Sequence, residues 1–175
     1  MHIDGLLSRS TILKYIKFSV ILLPFFLITG PFLPEIVIFL TCIFYILIAL
    51  KKKKTLFNNK NFNICFFIFY ISIIISSLFS ISFETSIIKS ILYIRFFIFF
   101  YFINNFFSAN DYKKFNISII LSISFVIFDI IFQFIFGQDI FGYYPGMGGL
   151  RYQGPFGDEW ISGGFLKNFG IIAII

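Results

Sequence analysis

The residue types best suited to chemistry are concentrated in residues 137–160, here called the glycine-rich loop, which reads GQDIFGYYPGMGGLRYQGPFGDEW. Glycine permits backbone conformations closed to other residues and lets the backbone approach a ligand closely. Arg151 is the one lysine or arginine of this loop, and a guanidinium binds phosphate oxygens through paired donors. The loop also carries flat side chains that can stack on sugar rings or anchor it at the lipid headgroups: Tyr143, Tyr144, Tyr152 and Trp160.

The acidic residues at the end of the loop leave a structural alternative open. Arg151 can bind a phosphate or a saccharide, or it can pair with Asp158 or Glu159. Asp158 is also well placed to cap a following helix, in whose first turn Glu159 would lie favourably. Because capping alone accounts for both acids, these residue types do not decide between the two roles.

Three further ionisable residues, Lys89, Arg95 and Asp129, fall in strongly apolar stretches. A charge at the centre of a membrane helix costs about 2.5 to 3.5 kcal/mol on insertion scales, so each needs an explanation. In a structural interpretation, Lys89 extends toward the membrane surface and Asp129 neutralises a cation. In a functional one, Lys89 and Arg95 form part of a cationic pocket for a lipid-linked phosphate. Gln133, one turn after Asp129, shares its face and can bind the same partner.

The elements that position these residues are membrane helices. Hydrophobic residues make up 59% of the 175 residues and charged residues 13%, which would leave a water-soluble fold without a polar surface. A helix needs roughly twenty apolar residues to cross a hydrocarbon core. Five such runs precede the glycine-rich loop, at residues 15–29, 34–50, 62–83, 86–103 and 115–136, and a sixth begins near Trp160. We therefore expect an all-α polytopic membrane protein with about six transmembrane helices.

These runs divide the chain into three parts. Residues 1–136 are expected to form five transmembrane helices with cytoplasmic basic loops, followed by the glycine-rich loop. Residues 161–175 would begin a sixth helix that is too short to span the bilayer readily, so we expect a fragment of a larger helical bundle. Gly30, Pro31 and Pro34 force a tight reversal between the first two runs and predict a helical hairpin.

The distribution of basic residues predicts the orientation. They lie before the first run, between the second and third, and between the fourth and fifth: Arg9, Lys14, Lys17, Lys51, Lys52, Lys53, Lys54, Lys60, Lys113 and Lys114. All of these fall on one side of the membrane, which the positive-inside rule assigns to the cytoplasm. The formal charge of +6 is therefore a topology signal, and nucleic acid is not a predicted partner. The N-terminus is expected in the cytoplasm and the glycine-rich loop outside, in the periplasm of a cell with two membranes.

Cysteine and histidine give no support for a cofactor. Cys42 and Cys65 lie within apolar runs, where they behave as small hydrophobes, and they show no metal-ligand spacing. The single histidine, His2, lies at the expected cytoplasmic terminus and cannot serve a reaction on the outer face. We predict neither a metal nor an organic cofactor.

The order of residues in the glycine-rich loop resembles a known family. GQDIFGY at residues 137–143, then LRYQGPFGDE at residues 150–159 and a glycine-containing helix start, is similar to the first outer loop of bacterial O-antigen ligase and O-antigen polymerase proteins. A basic loop after a hairpin and an arginine in a later span are similar too. The loop carries the distinctive part of the resemblance, because the spans would match many membrane proteins.

The resemblance implies a metal-independent inverting glycosyltransferase with an all-helical fold at the outer face of the bacterial inner membrane. It would transfer a glycan from an undecaprenyl pyrophosphate carrier to a saccharide acceptor, either lipid A core or a growing repeat chain, in lipopolysaccharide or related polysaccharide biosynthesis. Positive charge must then stabilise the leaving pyrophosphate. The candidate substrate-binding residues are Arg151 first, Arg95 and Lys89 second, and then Tyr152, Asp158 and Glu159.

The resemblance leaves the catalytic base unassigned. In the family, this role is attributed to a histidine in a larger outer loop nearer the C-terminus, which these 175 residues do not contain. Asp158 or Glu159 can serve as a base in principle, but a helix cap already accounts for their positions. We therefore expect the fragment to be inactive alone.

Two other classes stay open. In a transporter or channel subunit, including the bicarbonate-transporter-like relatives of the family, Lys89, Arg95 and Asp129 would line a polar path. The glycine-rich loop would act as a gate, and Ser162, Gly163 and Gly164 would permit a broken helix. A membrane assembly subunit without a site is the third class.

Overall fold

A computed structural model describes residues 3–52, 59–149, 151–157 and 161–174, and in them the protein is all-helical. The helices in chain order are α1 (Ile3–Ile21), α2 (Leu23–Ile28), α3 (Phe32–Lys52), α4 (Lys60–Leu78), α5 (Phe83–Leu92), α6 (Ile94–Phe106), α7 (Ala109–Phe136), α8 (Gly146–Gly149) and α9 (Ser162–Ile174), with a 3₁₀ turn at Gly154–Phe156. The expected all-α class is confirmed.

Four helical segments in the described part of the chain are long and apolar enough to cross a membrane. They are Phe32–Leu50, Lys60–Leu78, Phe83–Phe106 and Ala109–Phe136. A multi-pass membrane protein is therefore supported, whereas the expected count of six spans is not confirmed. The other two expected spans correspond to α1 with α2, and to α9, which has 13 residues.

The first expected span is interrupted. The helix already begins at Ile3, ends at Ile21 and restarts at Leu23, with Pro24 in the first turn of α2. Proline has no amide hydrogen and its ring clashes with the preceding turn, so a break just before it follows. Gly30, at φ 115°, then makes the turn into α3. Few side chains other than glycine adopt that conformation.

The third and fourth expected spans also differ from their predicted bounds. The helix of the third expected span, α4, ends at Leu78, five residues before the predicted end at Phe83. The next begins at Phe83 and is interrupted at Tyr93, where the amide of Tyr93 donates to the carbonyl of Ser90 at 3.2 Å. Bonds from residue i+3 to residue i are those of a 3₁₀ turn, which here separates α5 from α6.

The start of α7 is fixed by a reciprocal cap and an ion pair. The Ser108 side chain accepts from the amide of Asp111 at 3.3 Å, and the Asp111 carboxylate accepts from the amide of Ser108 at 2.9 Å. This is a capping box, which satisfies two free donors of the first turn. The ammonium of Lys17 on α1 also donates to Asp111, at 2.7 Å. The opposite end of α7 stops at Gly137, at φ 77°.

The chain forms two compact units, and the division falls within α3. The first unit comprises Met1–Val37 and Ser108–Ile175, and the second comprises Ile38–Phe107. In the first unit, α7 packs against α1, α2, the 3₁₀ turn and α9. One buried cluster in it comprises Ile28, Val126 and Phe165, to which Phe156 of the 3₁₀ turn adds a partly buried ring.

The second unit is held together mainly by aromatic rings. Phe62 of α4 stacks on Phe100 of α6 with ring centroids 3.8 Å apart, and Phe66 and Phe97 extend the same cluster. Tyr101 is 1% exposed, and its hydroxyl bonds to the side chain of Asn63 and accepts from the amide of Asn59 at 3.3 Å. The start of α4 is therefore attached to α6 by a buried polar contact as well as by rings.

We predict that Tyr101→Phe lowers the free energy of unfolding by about 1 kcal/mol, because it removes these hydrogen bonds and keeps the ring. The measurement is unfolding of the purified chain in mixed micelles with increasing mole fraction of SDS. Tyr93→Phe is the matched control, since Tyr93 is exposed and its hydroxyl makes no hydrogen bond within the described residues. Equal midpoints for the two variants would contradict the assignment.

Candidate functional site

Two polar side chains are fully buried at the end of α7. Asp129 and Gln133 are each 0% exposed, although they lie in a long apolar helix. Their spacing of four residues places them on one face, one turn apart. Buried polar groups must find partners, and here the glycine-rich loop folds back over the helix and supplies them.

Gln133 joins two distant parts of the loop. Its amide nitrogen donates to the carbonyl of Tyr143 at 3.2 Å, and its amide oxygen accepts from the amide of Gly154 at 3.1 Å. The Gln133 side chain thus bonds both the carbonyl of Tyr143 and the buried amide of Gly154 in backbone without regular secondary structure. This contact fixes both arms of the loop on α7.

Asp129 holds the beginning of the loop. Its Oδ1 accepts from the amide of Ile140 at 2.9 Å, and its Oδ2 is buried without a hydrogen-bond partner in the described residues. Asp139, 2% exposed, accepts from the amide of Tyr143 at 2.6 Å. The sequence suggested a cation as the partner of Asp129, but the observed partner is a backbone amide. Such a partner has no side-chain signal in a sequence.

The middle of the loop is closed by a further clamp. Gly146 and Arg151 exchange two backbone hydrogen bonds of 2.9 and 3.2 Å. The amide of Gly146 also donates to the side-chain oxygen of Gln153, which is 3% exposed, at 3.1 Å. A Cβ on Gly146 would lie 2.1 Å from the nitrogen of that side chain, so any larger residue would displace the Gln153 amide group.

Two other glycines allow the loop to pack closely. Gly154 has φ +60°, and a Cβ there would lie 2.8 Å from Cγ1 of Ile130 on α7. Gly157 also has φ +60°, and its Cβ would lie 3.3 Å from the ring of Tyr143. From the sequence, these glycines were expected to let the backbone approach a ligand closely. The structure shows a close approach to the protein itself.

The residues predicted from the loop sequence have different environments. The Arg151 side chain is exposed, while its backbone forms the clamp with Gly146. Tyr152 is half-buried, with its ring edge-on to Phe134 at 5.4 Å between centroids. Asp158 and Glu159, together with Trp160, lie outside the described residues, so their roles as substrate contact or helix cap stay predictions.

A hollow of about 420 Å³ opens beside the clamped loop within the first unit, and we call it the loop hollow. One wall is the turn from Leu27 to Pro31, and the other is formed by Tyr143, Pro155, Phe156, Gly157 and Ile161. Its lining is mainly apolar, with Thr29 and backbone groups as polar parts. The Tyr143 side of the hollow includes an aromatic residue.

A second hollow lies in the second unit, between α4 and α5, and we call it the serine hollow. It measures about 430 Å³ and is lined by Ser72, Ser76, Ser77, Ser80, Ser86, Ser90, Ile73 and Lys89. The hydroxyls of Ser80 and Ser86 are 2.8 Å apart across it. Lys89 is exposed and makes no ion pair or hydrogen bond within the described residues. Lys89 is therefore the one charged residue among the described residues that line this hollow.

The sequence contained a signal for the serine hollow that was missed. Ser72 and Ser76 are four residues apart on α4, and Ser86 and Ser90 are four residues apart on α5. Ser80 continues the spacing just beyond the end of α4. A spacing of four places side chains on one helix face. Single serines within phenylalanine and isoleucine look like neutral small residues, so the face is evident only once α4 and α5 pack together.

Arg95 has a separate environment in the second unit. It is half-buried in the first turn of α6, and its guanidinium lies 5.0 Å from the centroid of the Phe96 ring. Its backbone carbonyl accepts from the thiol of Cys42 at 3.2 Å. Arg95 does not line the serine hollow, so the structure does not bring it together with Lys89 in one pocket.

Comparisons with known proteins identify no relative: no family model, curated protein or solved structure matches the chain. The loop and the two hollows are the candidate functional features described so far. Of these, the serine hollow contains the clearest chemistry, because it combines a positive charge with several hydroxyl groups.

We predict that Gln133→Leu lowers the free energy of unfolding by about 1 to 3 kcal/mol, because it leaves the buried amide of Gly154 without a partner. The measurement is SDS-induced unfolding, combined with limited proteolysis of the glycine-rich loop. Gln138→Leu is the matched control, since Gln138 is exposed on the same loop. The clamp would be refuted by a loop that is cleaved at the same rate in both variants.

We also predict that Gly154→Ala destabilises the loop by about 1 to 3 kcal/mol, through a positive φ and the contact with Ile130. Gly163→Ala is its control, because a Cβ there meets nothing within 4 Å and lies in a helix. Faster proteolysis of the loop in Gly154→Ala alone is the expected result. Equal cleavage of both variants would show that the close packing of the loop is unimportant.

Proposed function

We propose that this chain forms the donor-binding part of a membrane glycosyltransferase of the O-antigen ligase or polymerase type. Its donor would be a glycan linked to undecaprenyl pyrophosphate, and its acceptor a saccharide, either lipid A core or a growing repeat chain. The proposal includes the larger bundle of about six or more spans in the bacterial inner membrane, with the glycine-rich loop in the periplasm. The observation that carries it is Lys89 within the serine hollow.

The chemistry of the serine hollow suits a lipid-linked pyrophosphate. An ammonium group attracts phosphate oxygens. The hydroxyls of Ser72, Ser77 and Ser90 already donate to backbone carbonyls. The exposed hydroxyl of Ser76 is therefore the one proposed to donate a hydrogen bond to the phosphate. Lys89 lies six residues after the start of α5, which is about 9 Å along the helix axis at 1.5 Å per residue. In the proposed orientation, this is the outer end of the helix, close to the level of lipid phosphates. A carrier lipid would reach the hollow by lateral movement within the bilayer.

The glycine-rich loop belongs to the first unit and is proposed, through its own side chains, to contact a pyrophosphate and a sugar. Arg151 would stabilise the charge that develops on the leaving pyrophosphate, because its exposed side chain stands on a loop held rigidly by Gln133. Tyr143 at the loop hollow would stack on a sugar ring, and Tyr152 would assist it. Arg95 stays a second-rank candidate, and no metal enters the proposal.

The transporter alternative requires Asp129 to face a polar path together with Lys89 and Arg95. Asp129 instead accepts from the amide of Ile140 and contributes to the loop clamp, which accounts for a buried acid without a path. We therefore give the transferase proposal preference, and no separate observation favours transport.

The test is binding of a pyrophosphate lipid to the purified chain in nanodiscs. We predict that farnesyl pyrophosphate binds and that Lys89→Gln weakens its binding about tenfold, since the loss of one charge-assisted contact is worth roughly 1.4 kcal/mol or more. Lys167→Gln is the matched control, because Lys167 is exposed five residues into α9 and lies at a similar helix depth. Lys89→Arg should retain most of the affinity.

Two comparisons make the result decisive. Farnesol, which has the same chain without phosphate, should not compete with farnesyl pyrophosphate. Equal affinity in Lys89→Gln and Lys167→Gln, or equal competition by farnesol, would contradict a phosphate site at the serine hollow. Binding rather than transfer is measured because the acceptor base is expected outside these residues.

A further inference from the structure

A further hollow in the described residues lies at the start of α7, on the first unit, where α7 meets α1. It has a volume of about 970 Å³, and we call it the lysine hollow. Three lysines line it: Lys14 and Lys17 from α1 and Lys114 from α7. The lysine distribution assigns this end of both helices to the cytoplasmic side, opposite the end that carries the glycine-rich loop.

The charges in the lysine hollow do not cancel. Lys17 is neutralised by Asp111 at 2.7 Å, and Asp111 is also held by the cap with Ser108. Lys14 and Lys114 are exposed, and within the described residues neither has an ion pair or a hydrogen bond. Two positive charges therefore line a hollow in which Asp111, the one acid among its described lining residues, is already paired, an arrangement that attracts an anion.

The hollow changes from polar to apolar along α1. Lys14, Phe18 and Ile21 all line it, at spacings of four and three residues that place them on one helix face. Lys14 and Ile21 are seven residues apart, which is about 10 Å along the helix axis. A ligand that fits this gradient has an anionic head at the lysines and a hydrocarbon chain beside Phe18 and Ile21.

We infer that the lysine hollow binds an anionic phospholipid of the cytoplasmic leaflet through its phosphate. Basic pockets between membrane helices on the cytoplasmic side bind such headgroups, and each lysine near the surface contributes about 1 kcal/mol. Lys14 and Lys114 contact the phosphate, and the pair of Lys17 with Asp111 fixes the distance between α1 and α7. The inference is independent of the proposed donor site, because it involves none of the residues of the serine hollow or of the glycine-rich loop.

The test is lipid selectivity of the full chain in phosphatidylcholine vesicles containing spin-labelled lipid. Electron paramagnetic resonance gives the fraction of label immobilised at the protein. We expect spin-labelled phosphatidylglycerol to be preferred over spin-labelled phosphatidylcholine by about fivefold to thirtyfold, as one or two lysine contacts would give. The double variant Lys14→Gln, Lys114→Gln should bring this preference close to one.

The matched control is the double variant Lys60→Gln, Lys113→Gln, which removes the same charge from segments assigned to the same side of the membrane. Neither residue lines the lysine hollow, so the preference should persist in it. The double variant Lys14→Arg, Lys114→Arg keeps both charges and should also retain the preference, which excludes loss of folding as the cause. An equal loss in both glutamine variants would overturn the inference in favour of diffuse attraction.

Soluble phosphate is distinguished by competition. Inorganic phosphate and glycerol phosphate, added at millimolar concentration, should leave the immobilised fraction of phosphatidylglycerol unchanged if the acyl chain beside Phe18 and Ile21 contributes. Displacement by either ion would overturn the lipid assignment and indicate a site for a soluble phosphate. No preference for phosphatidylglycerol in the unmodified protein would overturn the inference outright.

Discussion

Irregular backbone at the end of a membrane helix needs hydrogen-bond partners, and in this protein Gln133 and Asp129 supply them. An unpaired buried amide or carbonyl costs about 1 to 3 kcal/mol, and lipid offers it no partner. The loop above α7 has seven glycines in residues 137–160 and little regular structure, so its conformation depends on these two side chains. The exposure of Arg151 and the shape of the loop hollow follow from that clamp.

The two units use polar residues in different ways. In the first, fully buried polar side chains fix a loop and leave its aromatic and cationic side chains at the surface. In the second, small serines let α4 and α5 lie close together while keeping hydroxyls beside Lys89. Small side chains allow close approach of membrane helices, and a hydroxyl adds polarity at little cost in volume. In the first unit Arg151, and in the second Lys89, is the side chain proposed to contact a phosphate, and each lies on ordered backbone.

Much of the fold follows from composition and helix-breaking residues. The long apolar run ending at Phe136 and the stop at Gly137 were predictable, as was the turn at Gly30. The break at Tyr93 was not, because neither proline nor glycine marks it.

The site was harder to predict than the fold. The sequence identified Asp129 as anomalous, but its partner is an amide eleven residues later that any residue except proline would supply. Partners of this kind depend on the path of the backbone, which residue types alone do not specify.

Residue-resolved amide hydrogen exchange of the protein in nanodiscs tests the central claim, that α7 clamps the glycine-rich loop. We predict slow exchange of the amides of Ile140, Gly146 and Gly154. These amides donate, in that order, to the side chains of Asp129, Gln153 and Gln133. Slow exchange at these three positions would establish an ordered loop able to hold Arg151 in place. Exchange as fast as that of an unstructured peptide would contradict the clamp, and with it the rigid support proposed for the donor site.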